Sequence, residues 1–210
     1  GNPNSAYTFN GISDFIEVMD DNSLDFTNSY SLSAWYRTTN EFRFDQTILG
    51  KGNNMGGTGY QMAINTGIIN YTNPQIQFAF NNGLPWGGEI INDGAMTSIN
   101  NQFMSGWHHI AGTYDGNVAT LYIDGVLIDT VQVQFTLSVS EQPLLFGNET
   151  PSLYRYFEGD LDDIGFWNRA LTRGEIQKIS SLIPSTPTVV NDHSDPLDFG
   201  GKIECYPNPT

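Results

Sequence analysis

Cysteine, basic residues and long apolar runs are all scarce in this sequence of 210 residues. The one cysteine, Cys205, has no second cysteine to pair with, so the fold does not depend on an internal disulfide. No run of about 18 apolar residues occurs, and no basic-then-apolar segment precedes the first predicted strand. We therefore predict neither a membrane span nor a signal peptide.

Charge of one sign dominates the chain. The 8 lysines and arginines are outnumbered by 23 aspartates and glutamates, which gives a formal net charge of −15. A surface of that sign repels phosphate backbones and anionic lipid headgroups, so we expect neither nucleic acid nor membrane surfaces as partners. Acidic side chains instead attract divalent cations, although solubility is the simpler role for most of them.

Short β-strand patterns recur along the chain, separated by Gly, Asn and Asp. Ile76, Phe78 and Phe80 share one face of their segment and are predicted to point into a core. Because no helical pattern intervenes between the strands, the sequence predicts an all-β, two-sheet antiparallel sandwich. We expect its strands at residues 5–9, 14–19, 29–38, 46–51, 59–65, 75–81, 107–114, 118–124, 126–133, 143–147 and 156–167.

Residues 106–125 form the most informative stretch. They contain the pairs Asp115-Gly116 and Asp124-Gly125, and Asp-Gly pairs tolerate the positive φ of tight hairpin turns. The stretch therefore predicts a β-meander of two complete strands and the start of a third.

Three blocks of the sequence resemble the laminin-G-like, concanavalin A-like lectin and glucanase family. The residues WHHIAGTYDG at 107–116, followed by LYIDG at 121–125, are similar to its signature. Residues 9–18 with 32–35 resemble its opening strands, and residues 157–172 resemble its closing strand. The resemblance implies one jelly-roll domain over residues 1–183.

A short helix is predicted after the sandwich. Thr172 and Glu175 form a capping box, and Ile176, Ile179 and Ile183 follow at helical spacing. We expect this helix to pack against a sheet edge.

Residues 184–210 are predicted to be a linker and the start of a sorting signal, because they are polar and rich in proline. The run from Cys205 to Pro209 resembles the motif that opens the C-terminal sorting domain of type IX secretion substrates in Bacteroidetes. An ordinary proline-containing turn is the alternative. The resemblance implies a protein exported to the cell surface or the medium.

The closing block contains an acidic run at residues 158–163. Leu161 and Phe166 can both face the core only if a β-bulge near Asp162 and Asp163 shifts the register of the strand. Such bulges often redirect side chains toward functional sites.

Members of the family often hold a structural calcium ion between the opening and closing strands. The resemblance carries this role onto Asp14 and Asp163, with Asp162 beside them. Two carboxylates with backbone carbonyls and water suit Ca²⁺. The alternative is that these aspartates are turn and bulge residues that hydrogen-bond the backbone.

The sequence does not predict an enzyme. Related laminarinase-type enzymes use a Glu-x-Asp-x-x-Glu strand, whereas here Glu158 and Asp160 are followed by Asp163 in place of the last glutamate. His108 and His109 belong to a framework strand. A glycoside hydrolase is therefore the third hypothesis.

Aromatic rings bind sugars by stacking on their C–H faces. Three tryptophans fall in framework blocks and are predicted to be core: Trp35, Trp107 and Trp167. Trp86 instead lies in a turn-rich insertion, near Asn82 and Glu89, and is predicted to bind ligand, with Tyr71 as a further candidate. The alternative is that Trp86 packs onto the sandwich.

We therefore expect a non-catalytic, extracellular recognition module of a larger secreted bacterial protein. The expected partner is a polysaccharide or surface glycan, together with other domains of the same protein. The alternative is a protein-interaction, adhesion or spacer module. An exposed Trp86 beside polar acceptors favours the glycan, and a buried Trp86 favours the spacer.

Overall fold

The computed structural model describes residues 6–38, 46–52, 58–65, 75–82, 95–98, 103, 105–133, 138–149 and 155–182. These residues form twelve β-strands, a short 3₁₀ helix (Asn22–Leu24) and one α-helix, α1 (Arg173–Ser180). Neither of these two helical segments has the length and apolar character needed to cross a membrane. The strands are β1 (Tyr7–Asn10), β2 (Ile16–Val18), β3 (Tyr30–Thr38), β4 (Gln46–Gly52), β5 (Thr58–Asn65), β6 (Gln75–Asn82), β7 (Ala95–Ser98), β8 (His108–Tyr114), β9 (Val118–Ile123), β10 (Val126–Gln132), β11 (Leu144–Phe146) and β12 (Glu158–Trp167).

The strands form two antiparallel sheets that pack face to face. Sheet A has the order β1-β12-β3-β8-β9-β10, and sheet B has the order β2-β11-β4-β5-β6-β7. The predicted all-β jelly-roll sandwich with one short C-terminal helix is confirmed. Strand β7, which pairs with β6, was not predicted, because its four residues have no clear apolar alternation.

The core lies between the sheets. Ile76, Phe78 and Phe80 of β6 face sheet A and are buried, as predicted. The Phe78 ring packs directly against Gly112 of β8. A Cβ atom at position 112 would overlap the ring, so this close approach of the two sheets requires glycine.

Strand β12 contains the predicted β-bulge. Its pairing with β3 shifts register between Asp162 and Gly165, and Asp163 adopts a φ of 44°. Because of this bulge, Leu161 and Phe166 both belong to the core between the sheets. The prediction of a bulge near Asp162 and Asp163 is confirmed.

The predicted meander forms β8, β9 and the start of β10. Asp124 and Gly125 have φ values of 51° and 74°, as a tight hairpin turn requires. At the preceding turn Gly116 has a φ of 103°, whereas Asp115 has a negative φ. Asp115 instead stabilises that turn through its carboxylate, which accepts the N–H of Val118 at 2.8 Å.

The two histidines of the meander are held by Asp124, whose carboxylate lies 2.8 Å from His108 Nδ1 and accepts the N–H of His109 at 2.9 Å. His108 Nε2 lies 3.0 Å from the carbonyl oxygen of Ser105. Both ring nitrogens of His108 therefore have an oxygen neighbour within hydrogen-bond distance. Burial raises the pKa of the Asp124 carboxyl, but the hydrogen bonds from His108 and His109 outweigh it and hold the pKa below its usual value. The histidines are therefore framework residues.

Helix α1 packs on the outer face of sheet A, where Ile176 meets Ala111 and Tyr122. Its predicted capping box is confirmed, since Thr172 accepts the N–H of Glu175 and the Glu175 carboxylate accepts the N–H of Thr172 at 2.8 Å. The prediction that the helix lies against a sheet edge is wrong. The small side chain of Ala111 leaves room for the helix on the face.

The three framework tryptophans lie on the outer face of sheet A rather than between the sheets. Trp35 is buried beside His109, with ring centroids 5.3 Å apart. Trp167 packs against the apolar cluster under α1. The guanidinium of Arg37 lies 5.2 Å from the centre of the Trp107 ring. Trp35 is buried as predicted, and Trp167 packs on a second buried cluster. Strand alternation turns Trp35 away from the buried Ala34 side, so it lies outside the core between the sheets.

Candidate functional site

Three of the predicted ligand residues, Tyr71, Trp86 and Glu89, lie outside the described residues. The fourth, Asn82, is the last residue of β6 and pairs with Thr58 at the start of β5. A ligand role for these residues stays a prediction.

Asp14 closes the turn between β1 and β2 through hydrogen bonds with Asn10. One carboxylate oxygen accepts the backbone N–H of Asn10 at 3.0 Å, and the other accepts its side-chain Nδ2 at 2.9 Å. The carboxamide oxygen of Asn10 accepts the backbone N–H of Asp14 at 3.2 Å. Both carboxylate oxygens of Asp14 thus have partners within the turn, as expected of a turn-forming residue.

Asp163 lies far from Asp14 along the pair of strands β1 and β12. Asn10, which holds Asp14, is opposite Glu158, and Asp163 is further along β12. The intervening strand spans roughly 15 Å, whereas carboxylates that bind one calcium ion each lie about 2.4 Å from it. The structure therefore does not bring Asp14 and Asp163 together around one ion.

Asp162 belongs to the bulge, where its Oδ1 accepts the N–H of Asp163 at 2.9 Å. Across the described ranges, no group of three or more His, Cys, Asp or Glu side chains is arranged to hold a metal ion. The donor set at Asp14, Asp162 and Asp163 does not fit a shared calcium ion, and calcium binding by this chain stays a prediction.

The acidic run of β12 is partly neutralised by Arg37. The guanidinium of Arg37 contacts the carboxylate of Asp160 at 2.6 and 2.8 Å. Thr8 donates a hydrogen bond to the other oxygen of Asp160 at 2.6 Å. Asp160 is buried by these contacts and has a structural role in sheet A.

The outer face of sheet B carries a set of polar side chains that sequence reasoning missed. Thr47 of β4, Gln61 of β5 and Gln77 of β6 all point away from the core and are all buried. We call this set, with Gly50, the glutamine face. The sequence contained a signal for this face. In β6, glutamines alternate with the core residues Ile76 and Phe78 and so point to the opposite face of the sheet.

Glu149 lies over the glutamine face beside Gly50. A Cβ atom built on Gly50 would lie 3.4 Å from Glu149 Cβ and 3.6 Å from Gln61 Cβ. Glu149 forms an ion pair with Arg155 at 3.1 Å, and both side chains are buried. The carbonyl of Arg155 accepts the N–H of Thr47 at 3.0 Å, which ties this part of the chain to β4.

Two polar atoms of the glutamine face have unused hydrogen-bonding capacity. Thr47 Oγ1 and Gln61 Nε2 are buried and have no hydrogen-bond partner among the described residues. A hydroxyl can both donate and accept, and an amide nitrogen donates. Both atoms could hydrogen-bond to hydroxyl groups, but they are covered in this structure.

Comparison with known proteins agrees with this architecture. A laminin G model described as the concanavalin A-like lectin/glucanases superfamily matches residues 10–177. Comparison with curated protein sequences gives no match.

Several solved structures share the fold. The heptameric SAP-like pentraxin from Limulus polyphemus gives a TM-score of 0.61 at 13% identity, over 83% of this chain and 81% of that chain. Domain 4 of AbnA, an extracellular GH43 arabinanase from Geobacillus stearothermophilus, in complex with arabinotriose, gives 0.57 at 16% identity, over 83% and 76%. The binding domain of botulinum neurotoxin DC, in complex with rat synaptotagmin II, gives 0.60 at 16% identity, over 84% and 42%.

At these identities the structural likeness shows the fold alone. The family model, in contrast, spans most of the sequence, from β1 into α1. The chain belongs to the laminin G-like family of the concanavalin A-like lectin/glucanase superfamily.

Proposed function

We propose that this chain is a non-catalytic module that binds polysaccharide through the glutamine face of sheet B. The observation that carries the proposal is the pair of buried polar atoms, Thr47 Oγ1 and Gln61 Nε2, without a hydrogen-bond partner among the described residues. An unsatisfied buried polar group costs about 1–3 kcal/mol. Sugar hydroxyls would satisfy both atoms. Access requires that side chains above the face, Glu149 among them, move aside.

The family and one structural relative support a sugar ligand. The chain belongs to a lectin and glucanase superfamily, and the arabinanase domain that shares its fold was solved with arabinotriose. Trp86, with Tyr71, Asn82 and Glu89, is proposed to supply the stacking platform and further acceptors.

The charge of the chain favours a neutral glycan over an acidic one. The net charge of −15 repels uronate and sulfate groups. The cation near the glutamine face, Arg155, is already paired with Glu149. We therefore expect an uncharged polysaccharide whose binding depends little on salt.

Binding without cleavage is proposed because the site holds too few carboxylates. Glycosidases use two carboxyl groups on either side of the scissile bond. Of the described residues at the glutamine face, Glu149 is the one carboxylate, and it is paired with Arg155.

The setting of this activity is also a proposal. We propose an extracellular or cell-surface module of a secreted bacterial protein that works beside other domains of that protein. The predicted sorting motif, from Cys205 to Pro209, lies outside the described residues.

The test is isothermal titration with arabinotriose, neutral arabinan and an acidic polyuronate. We expect the neutral glycan to bind and Gln61→Glu to weaken binding at least about tenfold, because the substitution replaces a donor with a second carboxylate beside Glu149. Gln177→Glu, on the exposed side of α1, is the matched control and should leave affinity unchanged. Circular dichroism confirms folding of both variants, and reducing-end assays should detect no cleavage.

The proposal fails if no neutral glycan binds, or if Gln61→Glu and Gln177→Glu have equal effects. Binding of a protein ligand with no glycan binding would support the alternative, an interaction or adhesion module. That alternative has its own support, because the neurotoxin domain that shares the fold was solved with rat synaptotagmin II.

A further inference from the structure

Three large apolar side chains are exposed along the β2 edge of sheet B, with Phe15 just before the strand and Met19 just after it. Phe15, Met19 and Val139 have exposed fractions of 44%, 74% and 47%. Phe15 and Met19 point to the same side of the β2 segment, because Ile16 and Val18 between them pack on the core. We call these three side chains the edge patch.

Lys51 brings two members of the edge patch, Met19 and Val139, to the same end of the sandwich. Its buried ammonium contacts Asp20 at 2.6 Å and Asp25 at 2.9 Å, and it also donates to the carbonyl of Ser140. Asp20 follows Met19, and Ser140 follows Val139. Met19 and Val139 therefore flank one buried ion cluster, which fixes both chain segments before any partner arrives.

The surroundings of the edge patch are acidic. The ammonium of Lys51 is 1% exposed and saturated by its three oxygen partners, so it contributes little positive field outside. The exposed cations of the described ranges, Arg173 and Lys178, lie on α1 at the outer face of sheet A. The exposed acidic residues beside the patch are Glu17, Asp20, Asp21 and Glu141.

Strand β2 also has an unpaired edge among the described strands. It pairs with β11 on one side and is the last of the described strands of sheet B on the other. Contiguous exposed apolar side chains with a polar rim mark interaction sites, and free strand edges accept extended partner segments. A second copy of this chain would bring the same acidic rim and be repelled.

We infer that the edge patch docks an extended protein segment that presents apolar side chains flanked by lysine or arginine. The edge patch lies on the same outer face of sheet B as the glutamine face, with strand β11 between β2 and β4, but it uses different residues. The inference does not rest on glycan binding. Apolar contact supplies the affinity, and the acidic rim selects a basic partner and speeds its association.

The test uses a fluorescent peptide of alternating leucine and lysine, with binding followed by anisotropy at physiological salt. We expect the double variant Met19→Ser/Val139→Ser to weaken binding about tenfold or more. Its matched control is Val126→Ser/Leu127→Ser on the edge strand β10, which also exposes two apolar side chains and should bind as the wild type does. A peptide with glutamate in place of lysine should not bind.

A second series separates specific docking from charge attraction. Glu17→Gln with Glu141→Gln should reduce both the affinity and its salt dependence. The inference is overturned if the wild type does not bind the peptide, or if both apolar double variants bind as tightly as the wild type. It is equally overturned if sedimentation shows a dimer that Met19→Ser dissociates, since the patch would then serve a second copy.

Discussion

The outer faces of the two sheets differ in how exposed their positively charged side chains are. On sheet A, Arg37 stays partly accessible above Trp107. Helix α1 covers part of that face with apolar contacts and exposes Arg173 and Lys178. On the sheet B side, the described cations Lys51 and Arg155 are buried and paired with carboxylates.

Exposed acids occur on both sides, for example Asp115 and Asp124 on sheet A and Glu17 and Glu141 near the β2 end of sheet B. Buried cations neutralise acids inside the protein but leave the exposed acids unopposed. Among the described residues, the side covered by helix α1 therefore has exposed charges of both signs, and the β2 end of sheet B has exposed negative charges. Each prediction below tests whether the two sides are as different as this comparison implies.

The largest effect is expected from Lys51→Met. Removing the ammonium leaves Asp20 and Asp25 without their cation and should lower the free energy of unfolding by about 4 kcal/mol, measured by urea denaturation. Lys178→Met, on exposed α1, is the control and should change it by less than about 0.5 kcal/mol. Similar losses in both variants would contradict the view that the buried Lys51 stabilises the fold and the exposed Lys178 does not.

The next effect concerns His109 on the outer face of sheet A. Burial lowers the pKa of His109 from 6.5 to about 4. Between these values the unfolded chain binds a proton that the folded chain does not, so stability falls as pH falls from 6.5 to about 4 and is unaffected above 6.5. The loss amounts to about 3 kcal/mol.

Urea midpoints measured across this pH range provide the check. His109→Gln should flatten the part of the profile between pH 6.5 and 4, because glutamine does not titrate. An unchanged slope in that variant would show that other groups cause the acid sensitivity.

The smallest effect is expected at the cap of α1. Thr172→Ala removes the side-chain acceptor for the N–H of Glu175 and should cost about 1 kcal/mol in thermal or urea melts. Glycan affinity should not change, because the helix lies on the opposite sheet. A parallel loss of binding would mean that the two faces are coupled.

Local patterns predicted most of the fold. The alternation of Ile76, Phe78 and Phe80 gave the core face of β6, and Asp124-Gly125 gave a hairpin turn, because both depend on neighbouring residues. Even the bulge at Asp163 followed from a parity conflict within one strand. The short strand β7 has no such local signal.

The candidate site was much less predictable. The distance between Asp14 and Asp163 depends on the register of β1 against β12, which neither segment encodes alone. The glutamine face depends on Glu149 folding back over Gly50, a contact between residues distant in sequence. Glutamines in strands are usually solvent-facing, so nothing nearby indicated that Gln61 is buried.

Strand β12 lies between β1 and β3 in sheet A, although it is the last of the described strands in sequence. During synthesis from the N-terminus, β1 therefore lacks its described sheet neighbour until residues 158–161 emerge. The N-terminal segment, whose Phe9 belongs to the core, cannot pair with β12 until most of the domain has been synthesised. Sheet A is thus expected to be completed late, after residues 158–161 have been synthesised. The partly synthesised chain is therefore the species most prone to misassembly.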